Sequence, residues 1–405
     1  MISRIEAFKY RCFDRLDITV GQYHVLAGAN GTGKSTLLDI PLLLSEILSK
    51  GLIPAFLESA SIAGSPRALS LQELVHYQQG NNFGFAIEAN LPEGIIANLP
   101  HFLLSQQCYI YVRYEINFII VNNIELHVEE LLQIISKPIP SEKNIHVSTV
   151  IKRGLDGVAT LNTENNNDSI ILRLEPQELA LANVPRDSDK FSVAIWFRNL
   201  LEKSIMRYEP SWSLLRRACP PGQPKTLRSD AANLPWLVLN LQQQEPDLFN
   251  SWVEHIKMAL PNLIGIKALQ REEDYHAYLQ LKYIGNHTVT SSGLSYGTLH
   301  ILALTILPYL FQQSNLIFLE EPENGIHPRA IEIVLQSLSS VYDSQVWVST
   351  HSPIVLAHTD LESVIVMRSS KEKGVEAIPG SMHPRLQDWQ GKIDLGSLFA
   401  AGVLG

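Results

Sequence analysis

The hydrophobic pattern of this 405-residue chain changes period near Glu178. Up to that point short apolar runs alternate with polar positions between turn residues, the pattern of half-buried strands. Residues 5–10, 16–20 and 24–27 read as three short strands, and 83–89 and 108–121 as antiparallel ones. The last alternates around Arg113, Glu115 and Asn117 and runs into Asn122-Asn123, a hairpin-turn pair. Residues 145–151 and 169–174 are further strands, with turns at 154–157 and 162–168. One helix-like stretch, from Thr36 to about Leu52, interrupts them, and the Pro- and Ser-bearing residues 54–66 after it read as a surface connection.

Beyond Glu178 the apolar residues recur at helical spacing: Phe191, Ile195, Phe197 and Leu201, then Leu234, Leu237 and Leu241, then Phe249, Trp252, Ile256 and Leu260. Pro220-Pro221-Gly222 breaks this helical insertion, flanked by Arg216, Arg217, Lys225 and Arg228. A solvated loop beside helix ends is the preferred reading of that cluster, and contact with a phosphate backbone is the alternative. Strands resume at 263–269 and 275–283, and a strongly apolar helix covers 299–310. The pattern thus divides the chain into residues 1–178, 179–262 and 263–405, with no internal repeat and no heptad run.

Composition narrows the picture without changing it. At 45% hydrophobic and 18% charged, the chain has the make-up of a soluble globular protein. A net charge of −9 argues against coating nucleic acid by bulk electrostatics, so DNA contact has to be local or borrowed from a partner. Cys12, Cys108 and Cys219 are too few and too far apart for a disulfide framework or a metal knuckle, which fits a reducing cytoplasm. The charged N-terminus is unlike a signal peptide, and the longest apolar run, 299–311, holds His300 and Pro308 and is too short to span a bilayer. The expectation is a cytoplasmic protein without membrane contact.

The most specific chemistry lies in Gly28-Ala29-Asn30-Gly31-Thr32-Gly33-Lys34-Ser35-Thr36. Between a strand and a helix, this Gly, four free positions and Gly-Lys-Ser form a phosphate-binding loop. Glycines let successive N–H groups turn inward around a phosphate, and the helix start adds positive charge. Lys34 is expected to reach the β- and γ-phosphates and Ser35 to hold Mg²⁺.

Three further segments carry candidate chemistry. Residues 316–321 are an apolar run ending in Glu320-Glu321, a buried parallel strand delivering acids at its C-terminal edge. Because adjacent strand residues face opposite ways, Glu320 is assigned to the magnesium shell and Glu321 to the attacking water. Leu294-Ser295-Tyr296-Gly297-Thr298 opens the apolar helix as a second anion site, with an ordinary N-cap as the bland alternative. At the end of another β-rich run stand Ser349-Thr350-His351, where a histidine can sense a γ-phosphate.

In this order the segments resemble the ABC-type ATPase heads of the SMC, RecF and OLD-like group, and most closely its compact standalone, AAA_21-like ATPases. The resemblance covers nearly the whole chain. Residues 8–13 are similar to the group's N-terminal Asn-Phe-Arg-Ser-Phe element, 28–36 to its Walker A, 294–298 to its signature, 320–328 to its Walker B with D-loop, and 349–353 to its switch-histidine segment. Residues 229–234 match a small-residue Asn-Leu turn in its helical insertion.

The resemblance implies an α/β, P-loop NTPase fold of ABC-ATPase type, with a mixed β core, an antiparallel β lobe and a helical insertion. Residues 1–178 would be the Walker A part of the head with the β lobe, 179–262 the insertion, and 263–405 the part with signature, Walker B and switch histidine. ATP and Mg²⁺ are the implied cofactors. Arg11, Asn30, Gly31, Gly33, Lys34, Ser35 and Thr36 would bind the nucleotide, Ser35 and Glu320 the metal, Glu321 would be the base and His351 the sensor. Ser295 and Gly297 would meet the γ-phosphate held by a second protomer, giving a homodimer around ATP, or a higher oligomer.

Departures from the group's pattern are Glu320 in place of Asp, Tyr296 and Thr298 in the signature, and His300 where many relatives carry Arg. Gln72, Gln78, Gln79, Gln106 and Gln107 all remain open as the Q-loop residue. The 54 residues after His351 are too few for a TOPRIM-type nuclease domain, so the implied output is a nuclease or toxic effector acting in trans, in anti-phage defence or DNA repair. A structural clamp with negligible turnover is the alternative. A transporter subunit is disfavoured by Leu-Ser-Tyr-Gly-Thr and Glu-Glu-Pro-Glu-Asn, and a ring-forming motor by the presence of a signature at all.

Overall fold

The structure, a computed structural model, describes the chain except for residues 59–65, 101–107, 139–144, 165–167, 311–315, 371–373, 387, 388, 390, 392 and 405. The chain forms two compact units that alternate along the sequence. One comprises Met1–Gly21, Asn30–Ile205 and Met367–Ile378; the other comprises Gln22–Ala29, Met206–Val366 and Pro379–Gly405.

Eight antiparallel strands dominate the first unit, in the sheet order Phe13–Thr19, Ile2–Tyr10, Asn82–Asn90, Cys108–Val121, Glu125–Pro138, His146–Arg153, Val158–Asn162 and Ser169–Arg173. Asn122 and Asn123 take φ of 51° and 62°, the left-handed pair that a two-residue hairpin turn needs. The alternation pattern misses Glu125–Pro138 and Val158–Asn162 as strands. In the former, the adjacent pairs Leu131-Leu132 and Ile134-Ile135 blur the two-residue period, and the register shifts there between Leu132 and Gln133.

One face of the sheet carries an aromatic core. Phe83 and Phe118 stack at 5.0 Å, and Phe56 meets Phe118 edge-on at 5.4 Å. Phe56 belongs to a short helix, Leu52–Leu57, which corrects the reading of residues 54–57 as surface connection. Pro54 sits in its first turn, where no helical hydrogen bond is forfeited, and Ala55 and Phe56 are buried. The rest of that expected connection, 59–65, lies outside the described residues. The long helix Lys34–Lys50 packs against Ser192–Lys203, with Ser45 Oγ donating to Glu202 O at 3.2 Å.

The second unit holds a parallel sheet in the order Leu316–Glu320, Gln345–Thr350, Tyr23–Ala27 and residues 364–366, the start of the strand Val364–Ser370. All of Gln345–Thr350 is buried, as a strand covered on both faces must be. A separate antiparallel sheet is formed by Leu263–Gln270, Ala277–Tyr283 and His287–Thr290. Helices Leu234–Gln244, Pro246–Ala259, Tyr296–Thr305 and Pro328–Ser339 supply the core between them.

Trp252 is fully buried there, its indole N–H on Thr305 Oγ1 at 3.2 Å. The expected helix over 299–310 starts earlier, at Tyr296, and stops at Thr305; Pro308 lies in a separate single turn, Leu307–Tyr309. No helix among the described residues is long and apolar enough to cross a membrane.

Candidate functional site

The phosphate-binding loop runs on from the strand Tyr23–Ala27 and ends in the helix Lys34–Lys50. Gly31 and Gly33 adopt φ of 79° and 83°, backbone that side chains rarely tolerate. At Gly33 sterics add to this: a Cβ would lie 2.8 Å from Cys12 Sγ and 3.2 Å from the Phe13 ring. The turn after the first strand therefore presses on the loop. Burial pushes the Cys12 thiol up, moderated by a hydrogen bond with the Thr36 side chain. The helix start has no side-chain cap and no acid in its first turn, so its positive end is not neutralised by its own residues. Asn30, Gly31 and Ser35 are exposed, and Lys34 is buried.

Arg11 takes a left-handed φ of 50° in that same turn. Its guanidinium donates to Arg67 O and stands 4.0 Å from Asp39 Oδ2. Arg67 is buried and donates to both Asp39 oxygens at 2.9 Å and to Ala55 O at 2.7 Å, and also pairs with Glu46. Burial pushes the Asp39 carboxyl up, with Arg67 and Arg11 opposing. Among the Q-loop candidates, Gln72 donates to Gln78 O and Gly80 O at 2.9 and 2.8 Å, while Gln106 and Gln107 lie outside the described residues.

In the second unit the acids of 320–321 separate, but not by strand alternation. Glu320 closes the strand, and Glu321 leaves it with φ of 46°, although its N–H still reaches Ser349 O at 2.8 Å. This corrects the expectation that both acids are strand residues. The left-handed step turns the Glu321 carboxylate toward the neighbouring strand's end, where its Oε1 is 2.8 Å from His351 Nδ1. Its Oε2 accepts from Asn324 Nδ2 at 2.8 Å. A neutral His351 donating through Nδ1 presents Nε2 as an acceptor; a protonated one presents a second donor.

Glu323 joins the same cluster. Thr350 Oγ1 donates to its Oε1, and Ser352 N–H returns to Thr350 Oγ1 at 2.9 Å. Burial pushes the Glu323 carboxyl up, and its Oε2 is buried without a hydrogen-bond partner. Glu320 instead pairs with Arg207, Nη2 to Oε2 at 3.1 Å. Sequence reading placed Glu323 and Asn324 in the 320–328 segment without a role of their own, and did not single out Arg207. The first two adjoin Glu321, a signal of a kind; Arg207 is 113 residues from Glu320 and carries none.

Ser295 is the N-cap of Tyr296–Thr305, accepting from Thr298 N at 3.1 Å, and it is exposed. The signature helix and the turn after Glu321 touch through two glycines. A Cβ on Gly297 would lie 2.6 Å from Gly325 O, and one on Gly325 would lie 2.0 Å from the Tyr296 ring. His300 Nδ1 lies 3.2 Å from Asn324 O, tying the helix to the residue that holds Glu321.

The donor chemistry suits magnesium. Ser35 and Glu320 offer oxygen ligands, as a hard cation requires. The described residues contain no group of three or more His, Cys, Asp or Glu placed to hold a metal.

A glycine loop feeding a helix, with one acid closing a buried parallel strand and a second just past it, defines a P-loop NTPase fold. The chain belongs to the AAA_21 family, described as "AAA domain, putative AbiEii toxin, Type IV TA system", which it matches over residues 24–357. Among curated proteins none matches it. Solved structures similar to it include the Smc head bound to the C-winged helix domain of ScpA, at 13% identity over 93% of this chain and 96% of that one, with a TM-score of 0.49. A second is the Smc head with an extended coiled coil bound to the C-terminal domain of ScpA, derived from Pyrococcus furiosus, at 12% identity over 100% and 98%, with a TM-score of 0.45. Likeness this low bears on neither partner nor substrate.

Proposed function

We propose that this chain binds and hydrolyses ATP as a molecular switch. Lys34, Ser35 and Thr36, with the N–H groups of Asn30, Gly31 and Gly33, take the phosphates; Arg11 approaches them, and Ser35 and Glu320 hold Mg²⁺, which supplies charge neutralisation when bound. Glu321 accepts the proton of the attacking water, and His351, on the other side of that carboxylate, senses the γ-phosphate. Ser295 and Gly297 of a second copy complete each site, so that ATP joins two chains.

The observation that carries this reading is the Glu321–His351 hydrogen bond of 2.8 Å, braced by Asn324. Held in this way, the Glu321 carboxylate has a fixed orientation, which supports a preorganised base. The family's description names a toxin of a type IV toxin–antitoxin system, which supports an output through a nuclease or toxic effector, in anti-phage defence or DNA repair; in this reading the switch acts in the cytoplasm. Local contact with DNA fits the same role.

ATP turnover and particle mass test the reading together. Wild type should release phosphate and double its mass with ATP, and Glu321→Gln should bind ATP, dimerise and cut turnover about 10²-fold or more. Hydrolysis unchanged in Glu321→Gln would remove the assignment. Tight ATP-dependent dimers with no wild-type turnover would favour a clamp.

A further inference from the structure

Met206 and Arg207 run along the outer side of Leu316–Glu320, with Tyr208 N–H on Phe318 O at 2.8 Å. From there Arg207 Nη2 reaches Glu320 Oε2 at 3.1 Å and Glu209 Oε2 at 3.4 Å. The Arg207 side chain is 14% exposed, yet its Nη1 is buried with no hydrogen-bond partner. Beside it opens a cleft of about 690 Å³ whose lining includes Glu209, Trp212, Tyr296 and His300.

Each buried N–H left unpaired is costly, and among the described residues Arg207 shares that cost with Arg67, Arg153 and Arg216. Arg207 spends one arm on the acid, leaves the other unpaired, and faces a space large enough to receive it. The acid it holds is the residue assigned to magnesium. A guanidinium on a carboxylate and a divalent cation compete for the same oxygens, since each offsets charge that the other needs. Glu320 is one methylene longer than aspartate, and that extra reach lets its carboxylate lean toward the outer strand.

We propose that Arg207 is a latch on the metal ligand: paired with Glu320 it lowers the magnesium affinity of the site, and it swings into the cleft when Mg²⁺ and ATP load together. This positioning role rests on the magnesium assignment of Glu320 above. It makes ATP binding and metal binding separable, with Arg207 acting on the second alone.

The test uses Mn²⁺ in place of Mg²⁺, with free Mn²⁺ read by electron paramagnetic resonance in the presence of a non-hydrolysable ATP analogue. Analogue binding in EDTA, read by fluorescence, is the control. Arg207→Met, which removes the cation competing for Glu320, should tighten Mn²⁺ about tenfold, the opposite sign to the loss that follows when a supporting partner of a metal ligand is removed, and leave analogue affinity in EDTA unchanged. In a Glu320→Gln background the same substitution should shift nothing. Arg207→Lys, which keeps a charge but loses the fork, should fall between, and it carries the test if the methionine variant does not fold. Mn²⁺ affinity unchanged or weakened in Arg207→Met overturns the latch while leaving the ATP site standing. Failure of wild type to bind the analogue at all removes the nucleotide reading, and the latch with it.

Discussion

Gly297→Ala sets helix propensity against packing. Alanine in place of glycine near the start of Tyr296–Thr305 should stabilise the helix by up to about 1 kcal/mol if only the local backbone mattered. The structure reverses the sign. The new Cβ would lie 2.6 Å from Gly325 O, where ordinary contact begins at 3.4 Å, so the turn must retreat by about 0.8 Å, the difference of the two. Gly325 cannot easily yield, because its φ of 74° is shared by few residues and the Tyr296 ring lies against it. Overpacking of this kind costs about 1–3 kcal/mol.

The shift also passes to Asn324, which holds Glu321. A misplacement near 1 Å costs about 10²-fold in rate. Urea denaturation should therefore show a less stable protein, and single-turnover hydrolysis a rate lower by about 10- to 100-fold, with analogue binding in EDTA unchanged. A Gly297→Ala variant that is more stable than wild type and hydrolyses normally would refute the coupling of helix and turn.

Other outcomes follow from buried charge. Arg67→Met leaves buried Asp39 with Arg11 alone, 4.0 Å away, and Glu46 with the exposed Lys50, and should cost about 3 kcal/mol in a urea titration, because the Arg67 side chain is only 2% exposed; a loss below about 1 kcal/mol contradicts its role as the centre of that network. Burial holds the imidazoles of His24 and His300 below their ordinary 6.5. The unfolded chain then binds more protons than the folded one as pH falls through 6.5 toward the folded values, so stability is full above 6.5 and declines below it. Urea midpoints from about pH 8 to about pH 5 should fall less in a His24→Asn, His300→Gln variant than in wild type, and equal slopes would rule the two residues out.

Elements that depend on neighbours in sequence were legible from the chain. The hairpin turn at Asn122-Asn123 needs only two residues that tolerate left-handed backbone, and the strand before it, Cys108–Val121, declares itself through period. The strand Glu125–Pro138 was not legible, because its register shift is set by the strand beside it. Nor was the helix Leu52–Leu57, whose Pro54 reads as a breaker until Phe56 is seen in the aromatic core.

The sequence by itself determined the glycine loop between strand and helix, the Ser295 turn that opens a helix and the polar ends of the strands at Glu320 and Thr350, since each is built from consecutive residues whose backbone must curl or stop at one place. Tertiary structure alone decided what those residues touch. Glu321 meets His351 across 30 residues, Glu320 meets Arg207 across 113, and Arg11 meets Arg67 across 56. Propensity and period act over a few residues, whereas an ion pair between distant ones exists only where packing of the whole sheet brings the chain back. The same limit hides the alternation of two units along the sequence, because nothing local marks where the chain leaves one core for the other.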